Sequence, residues 1–586
     1  MRSFWRTASR LVYLPFIDKA EDAYRAFAAS GRALFLFFSA LLVISAGVLL
    51  FMLNGLLLEP TPAHGGTLTE GILGAPRFIN PVLAVSDADR DLTALIYSGL
   101  LKPTSSGNYE PNLTSRYEVS EDGRVYTFFL REDATFHDGE SVTAHDVVFT
   151  ITKIKDPSLK SPAHANWEGV TAEALDDRTV RFTLVQPYAP FIKNATVGIL
   201  PKHLWEEVNV EEFPFSELNT LPIGSGAFKV DEVSRTTSGI LSSYELQSFT
   251  GYTLGQPYLA RVHLNFYQNE EALIAALSRG EVEAVSGISP ALLPALSKNH
   301  TERSSLNRVF GIFFNQNESV VLREAEVRKA LDMAVDREAL VANILGGYGT
   351  PLTGPVPPGV VSSSVVKISS PAGDPAQRAR EYLLSEDWEA GEDGTLFKTV
   401  GSRDNKKTLK LSFTISTGNV AELRAAAEFV KSAWSRVGAE VEIRVFDQGD
   451  LSQNVIRPRR YEALLFGEVI GRELDLFAFW DSSQRNDPGL NIALYANSTA
   501  DKILKSLRET SVEAERLELY TQFVAELKKD VPAVFLYAPD FVYSIPNDIK
   551  GFDLGFVETP SDRFLSIEKW HREVDYVWPL FVSKTI

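Results

Sequence analysis

The chain contains no cysteine. That removes disulfides, thiolate metal ligands, cysteine nucleophiles and any lipid carried on an N-terminal cysteine, so a membrane attachment must be made of peptide. Histidine is scarce as well. Its 8 residues are scattered, and His137 and His145 lack the His-Glu-x-x-His spacing that aims two imidazoles at one metal. Dense positive charge is also missing. The formal net charge is −18, which repels phosphate backbones, and the one basic cluster, Arg457, Arg459 and Arg460, is too short for a binding stripe. No Gly-Lys-Ser/Thr phosphate loop occurs. Gly224-Ser225-Gly226 matches neither the Gly-x-Ser-x-Gly elbow nor the Gly-x-Gly-x-x-Gly spacing, and reads as a tight backbone bend. No metal, cofactor, nucleic-acid partner or enzymatic activity is expected, and a hydrolase is the least favoured reading.

What is present is the composition of a folded protein, 45% apolar and 23% charged, over 586 residues. That length exceeds what one hydrophobic core supports, so several lobes are expected. Residues 33–58 form an uncharged, largely apolar run, long enough for one transmembrane helix. Arg2, Arg6, Arg10, Lys19, Arg25 and Arg32 precede it against Asp18, Glu21 and Asp22. The positive-inside rule then makes residues 1–32 a cytoplasmic basic leader and places the large remainder outside the cell membrane. A cleaved signal peptide ending near Thr61-Pro62-Ala63 is the competing reading, disfavoured by the long leader. The stretch from Phe4 to Phe27 either lies on the inner membrane surface or is a plain tail. Glu59-Pro60-Thr61-Pro62 reads as a stiff spacer.

Beyond it the patterning is α/β. Two β-rich runs between Tyr117 and Leu130 flank Glu121-Asp122-Gly123-Arg124, where the Asp-Gly pair is expected to supply the positive φ angles of a tight hairpin. His137-Asp138-Gly139 makes a turn, and Thr143 with Asp146 forms a capping box opening a helix through about Ile154. Leu409, Leu411, Phe413 and Ile415 alternate as one strand. Leu423, Ala427, Val430, Trp434 and Val437 follow at helical spacing, stopped by Gly438, and Val441, Ile443 and Val445 alternate as a second strand. Ala463 to Phe466 looks like a buried parallel strand ending at Gly467-Glu468. Ligands settle beyond the carboxyl ends of such strands, so Gly467-Glu468 and Thr417-Gly418-Asn419 mark the expected cleft.

Further stretches carry a family resemblance. In order they are Gly65-Gly66-Thr67-Leu68, Asn80-Pro81, Ile96-Tyr97-Ser98-Gly99-Leu100, Phe136-His137-Asp138-Gly139 with Thr143-Ala144-His145-Asp146-Val147, Pro222-Ile223-Gly224-Ser225-Gly226-Ala227-Phe228, and Val327-Arg328-Lys329-Ala330-Leu331 with Ala334-Val335-Asp336-Arg337. Together they resemble family 5 of the extracellular solute-binding proteins, the peptide, dipeptide and nickel-type receptors of ABC import transporters. The resemblance implies an α/β, class II periplasmic-binding-protein-like fold of the cluster C type, with two main lobes and an inserted lobe. Lobe I would comprise 61–105, 222–308 and 541–586, the inserted lobe 106–221 and lobe II 309–540. It implies a peptide or other small solute as ligand, nickel complexes, haem and oligosaccharides being bound elsewhere in the family, and an ABC-transporter permease as partner. A sensor or extracytoplasmic chaperone on the same fold is the alternative.

The resemblance also implies site residues. Relatives place an acid after a glycine to meet the ligand's amino group, and Gly467-Glu468 occupies that place, although Glu replaces the usual Asp and Arg472-Glu473-Leu474-Asp475 replaces the Asp-Pro-Asp that follows. The alternative for Glu468 is an ordinary exposed carboxylate, with Glu473 or Asp475 as the acid. Trp480 and Tyr537 align near aromatic cleft walls, or belong to the core. Ala75 and Arg77 precede Asn80-Pro81, where relatives bring backbone to the ligand. Arg77 would meet a ligand carboxylate or remain a surface arginine.

Overall fold

A computed structural model of the chain describes residues 19, 22, 24–290, 292–296, 300–357, 373–401, 406–510 and 512–578. Most of the basic leader, including Arg2, Arg6, Arg10, Asp18 and Glu21, lies outside the described residues. The described chain forms two units, one joining residues up to Ala63 with those from Glu573 onward, the other running from His64 to Arg572.

In the first unit a 29-residue helix, Ala29–Leu57, buries none of its side chains against protein. It is long and apolar enough to cross a membrane. The expected stiff spacer is instead a strand. Glu59–Ala63 pairs antiparallel with Glu573–Val577, from Glu59 opposite Val577 to Ala63 opposite Glu573. Prolines are tolerated there because a two-stranded ribbon is all edge, and an edge position needs no N–H for a further neighbour.

The second unit is built on a 12-stranded mixed sheet. One end runs through Glu440–Phe446, Ser412–Gly418, Ala463–Val469 and Arg308–Phe314. The other runs through Ala284–Ser286, Thr67–Leu73, Arg261–Tyr267, Leu241–Ser248 and Phe228–Arg235. A single 13-residue strand, Ala533–Ile545, joins them. Its first part pairs with Arg308–Phe314, and its last part with Ala284–Ser286 and His300–Ser305. The partners change at Pro539-Asp540, the only half-buried residues in an otherwise buried strand. Pro539 cannot donate to a ladder, but it stays paired: it lies opposite Gly349, and its carbonyl accepts from Leu306 N at 2.9 Å.

The βαβ unit forms as the periodicity predicts. Ser412–Gly418 and Glu440–Phe446 pair in parallel, and helix Ala421–Val437 crosses between them and ends at Gly438, whose φ of +109° suits glycine. Both faces of this part of the sheet are covered. Ile312, Ile415 and Leu465 pack with Trp434 and Val430 on one side, while Val309, Phe313 and Leu464 pack with Trp480 and Phe523 on the other. A third core joins residues from Leu68 to Leu264 with Phe541 to Trp570.

Three expectations change in detail. The run from Leu409 to Ile415 is two strands, because Leu411 bends the chain from a small sheet with Leu396–Val400 into the large one. Its N–H donates to Leu396 O and its carbonyl accepts from Glu440 N, so the kink costs no hydrogen bond. The strand beginning at Ala463 does not stop at Gly467-Glu468 but continues to Val469. Parallel pairing with Ser412–Gly418 ends at Leu465, yet the antiparallel neighbour Arg308–Phe314 carries the ladder on. In the hairpin, Thr114–Val119 pairs with Val125–Leu130 and only Gly123 takes a positive φ, +65°.

The family-like stretches have structural causes. Thr143 and Asp146 close the capping box on helix Ala144–Lys155. A Cβ on Gly224 or Gly226 would lie 2.0 and 2.5 Å from backbone atoms of Ile96, so only glycine fits. His137 is wedged beside this bend, its Nε2 3.1 Å from Gly226 O, and burial lowers its pKa to about 4, which marks it as structural. Buried Arg328 donates to the carbonyls of Leu322, Arg323, Asp530 and Val531. Deepest of all, Arg563 has no exposed side-chain surface. Its Nε meets Glu70 Oε1 at 2.8 Å, and its two terminal nitrogens clasp Asp91 at 2.8 and 2.6 Å.

Candidate functional site

Register decides where Glu468 points. Directly opposed residues of an antiparallel pair share a face, so Glu468 lies on the side of its partner Val309, with Leu464 and Phe466 of its own strand. That is the side of the Trp480 core. Glu468 is 4% exposed, not an exposed carboxylate, and neither of its carboxylate oxygens has a hydrogen-bond partner among the described residues. Burial alone pushes its pKa well above the ordinary 4.5.

A second unpartnered side chain shares this face. Asn307 lies one step before Arg308–Phe314, and its carbonyl accepts from Ile470 N, which continues the register past Val469. It is 1% exposed, and its amide nitrogen and oxygen also lack partners among the described residues. Asn307 and Glu468 thus stand two positions apart on one face, one offering both donor and acceptor, the other two acceptors. Buried polar groups are nearly always paired, so such a cluster marks a place where something else completes the bonds. Sequence reasoning missed Asn307. The signal was available only through register, since nothing local distinguishes it from a loop asparagine before a strand.

Gly467 has a different task. A Cβ there would come within 2.6 Å of the Phe310 ring, which stacks on Tyr537 at 5.0 Å between centroids. Tyr537 in turn donates to Glu422 Oε1 at 2.7 Å, on the βαβ helix. Trp480 is a core residue: it is wholly buried among Phe313, Tyr495, Phe523 and Phe535. Its indole N–H is unpartnered among the described residues. Ala75 and Arg77 are exposed on a loop held by Asp89, whose Oδ1 accepts from the backbone N–H of Arg77 and Phe78 at 2.6 and 2.8 Å. The Arg77 guanidinium lies 4.9 Å over the Phe78 ring. Ala75 and Arg77 therefore belong to a different segment from the cluster around Glu468. Thr417, Gly418 and Asn419 do stand at the carboxyl end of the parallel strands. Asn419 accepts from Arg424 and donates to Asp447.

The segment after Glu468 is heavily tied down. Arg472, with 3% of its side chain exposed, meets Asp562 Oδ2 at 2.8 Å and Thr104 O at 2.9 Å, and stacks over Phe556. Glu558 accepts from Arg472 N at 3.3 Å and pairs with Lys193. Asp475 takes Arg508 through both oxygens and accepts from Tyr188 Oη at 2.9 Å. Burial raises the pKa of Glu473. Asp475 is thus engaged, whereas Glu468 has no hydrogen-bond partner among the described residues.

A cavity of about 450 Å³ lies elsewhere, lined by Tyr97, Lys102, Asn112, Asp562 and Phe564 among others. Of its charged groups Lys102 is committed to Glu568 at 2.7 Å and Asp562 to Arg472 at 2.8 Å, while Arg90 pairs with Asp87 at 3.8 Å. Among the described residues no group of His, Asp and Glu is arranged to hold a metal.

A pH dependence follows. A buried carboxyl with a raised pKa favours folding while it is protonated, and that contribution is lost as pH rises through the folded pKa. The unliganded protein should therefore lose stability as pH rises from about 4.5 towards neutrality, and Glu468→Gln, which cannot ionise, should lose less. Denaturant midpoints measured at several pH values check this. Parallel pH profiles for the two proteins would contradict it.

The comparisons agree with this architecture. The family model described as "Bacterial extracellular solute-binding proteins, family 5 Middle" matches residues 108–491. The chain is 27% identical over 517 residues to the oligopeptide-binding protein AppA of Bacillus subtilis, covering 87% of this chain and 92% of that one. It is 25% identical to the probable D,D-dipeptide-binding periplasmic protein DdpA of Escherichia coli, covering 83% and 91%. Among solved structures, Bacillus subtilis AppA in complex with a nonapeptide superposes with a TM-score of 0.66 at 26% identity, covering 87% of this chain and 99% of that one. NikZ of Campylobacter jejuni, in complex with Ni(L-His), gives 0.65 at 26% identity, covering 86% and 99%. With the family's model spanning well over half its length, and the family's α/β fold around it, this chain belongs to the bacterial extracellular solute-binding proteins, family 5.

Proposed function

We propose that the protein is a membrane-anchored receptor that captures peptides with a free amino terminus and hands them to the permease of an ABC importer. It is a solute-binding protein and not an enzyme. The observation that carries the peptide reading is the buried, unpartnered pair of Glu468 and Asn307 at the end of the Ala463–Val469 strand. A protonated amine loses its water on entering a closed site, and that cost is recovered only where a carboxylate and polar groups meet it. Glu468 supplies the charge. Asn307 supplies a donor and an acceptor to neighbouring peptide groups, in the manner of an added strand.

The cleft would lie between lobe II, residues 309–540, and lobe I, residues 61–105, 222–308 and 541–586, with the insert at 106–221. The pivot would be the exchange of partners at Pro539-Asp540, supported by the one long strand that serves both halves of the sheet. Arg472 and Glu558 would then clasp the closed form, since they bridge the loop after Glu468 to residues 104, 193 and 562.

The peptide reading is tested by native mass spectrometry of protein purified from its own host. Peptides should be retained, and a metal complex or sugar in their place would overturn it. The anchor is tested by protease added to intact cells. With Ala29–Leu57 spanning the membrane uncleaved, the large C-terminal part should be shaved off, leaving a short membrane-bound fragment. Recovery of a mature N-terminus near His64 would refute the retained anchor.

A further inference from the structure

We infer that the ribbon made by Glu59–Ala63 and Glu573–Val577 lies flat on the outer lipid interface, with Tyr576 and Trp578 as its aromatic anchors. The inference rests on the membrane-spanning reading of Ala29–Leu57 and adds a second contact with the same bilayer.

The register divides the ribbon into two chemically distinct faces. Pro60 opposes Tyr576 and Pro62 opposes Val574, so these four side chains share one face. Glu59, Thr61, Ala63, Glu573, Asp575 and Val577 share the other, which carries all three carboxylates of the ribbon. On the first face Val574 is 40% and Tyr576 65% exposed, and Trp578, one residue past the strand, is 43% exposed. Alternate exposed aromatic and apolar residues on a two-stranded ribbon are the pattern of a surface that meets something else.

Chain continuity says what it meets. The helix ends at Leu57, and the first ribbon residue is Glu59. A 29-residue helix is roughly 44 Å long, close to the full thickness of about 40–45 Å that includes both headgroup layers. Its outer end therefore falls in the headgroup region, where Trp and Tyr are enriched because one part of the ring prefers hydrocarbon and the other water. Tyr576 opposes a residue only three positions beyond the helix end, roughly 10 Å of extended chain. A cleaved chain would lose both the helix and much of the first strand. The acidic face turns to water, away from lipid phosphate.

Trp578 makes the contact measurable. The full-length protein is reconstituted into phosphatidylcholine vesicles, plain or with bromine placed near the headgroups or near the chain ends. The emission of Trp578 is obtained by subtracting the signal of Trp578→Phe from that of the parent, which cancels the other tryptophans. Headgroup-proximal bromine should remove the larger part of that emission, and bromine at the chain ends should remove less. Flotation of the same vesicles reads the anchor separately. Protein that floats with Trp578 emission unchanged by bromine overturns the ribbon contact alone. Protein that fails to float overturns both this inference and the anchor.

Discussion

Replacing Glu468 with Gln should weaken binding of a free-amine peptide by at least tens-fold while leaving the fold intact. Removing one member of a buried, hydrogen-bonded charge pair typically costs about 2–5 kcal/mol. The exchange is nearly isosteric, and the group it replaces has no hydrogen-bond partner to abandon among the described residues. Acetylating the peptide should do similar harm, and the two changes together should cost little more than either alone, because each deletes the same pairing. Protons should also be released on binding, since burial raises the Glu468 pKa and an incoming ammonium would lower it again. Calorimetry on the four combinations of protein and peptide, repeated in buffers of different ionisation enthalpy, reads all three effects. If the Gln variant binds within about 0.5 kcal/mol of the parent, Glu468 does not hold the amine. Asp475 would be a poor substitute, given the Arg508 and Tyr188 groups already bonded to it. The variant should meanwhile be the more stable of the two at neutral pH without ligand, so loss of binding cannot be attributed to misfolding.

The largest loss of stability is expected at Arg563. Its guanidinium is the single cation between two fully buried carboxylates, Glu70 and Asp91, and Tyr543 donates to the remaining oxygen of Glu70 at 2.8 Å. Arg563→Met would leave those carboxylates in the interior without a counter-charge, which typically costs about 3–5 kcal/mol. Neutralising them should rescue the protein. The triple variant with Glu70→Gln and Asp91→Asn should recover most of the denaturant midpoint, because neutral groups of the same shape carry no uncompensated charge. The loss in the single variant should be smaller near pH 5 than at pH 8, since the orphaned acids can take up protons at the lower pH. A single variant as stable as the parent, with a flat pH profile, would show that water reaches this network.

Local chemistry was the most legible part of the sequence. Thr143 with Asp146 and the stop at Gly438 both follow from interactions within a few residues, and both form as read. What depended on a distant partner was less legible. The end of the Ala463–Val469 strand is set by Arg308–Phe314, and the strand at Glu59–Ala63 exists only because Glu573–Val577 returns to it. The candidate site divides the same way. Glu468 was found by its place at a strand end and its resemblance to a family acid, but its lack of a partner is a tertiary fact. Asn307 had no local signature at all. Trp480 was drawn towards the cleft by alignment, and its wholly buried packing against Phe313 and Phe535 places it in the core.

The strand shared by both halves of the large sheet also governs when the protein can become itself. Ala533–Ile545 emerges late, yet Arg308–Phe314, Ala284–Ser286 and His300–Ser305 all wait for it. Until then each half has an open edge at what will be the middle of the sheet, and open edges invite pairing with other chains. Pairings so far apart in sequence form slowly. A polypeptide exported in an unfolded state is served by that delay, because most of its length has crossed before the keystone strand arrives and the fold can lock.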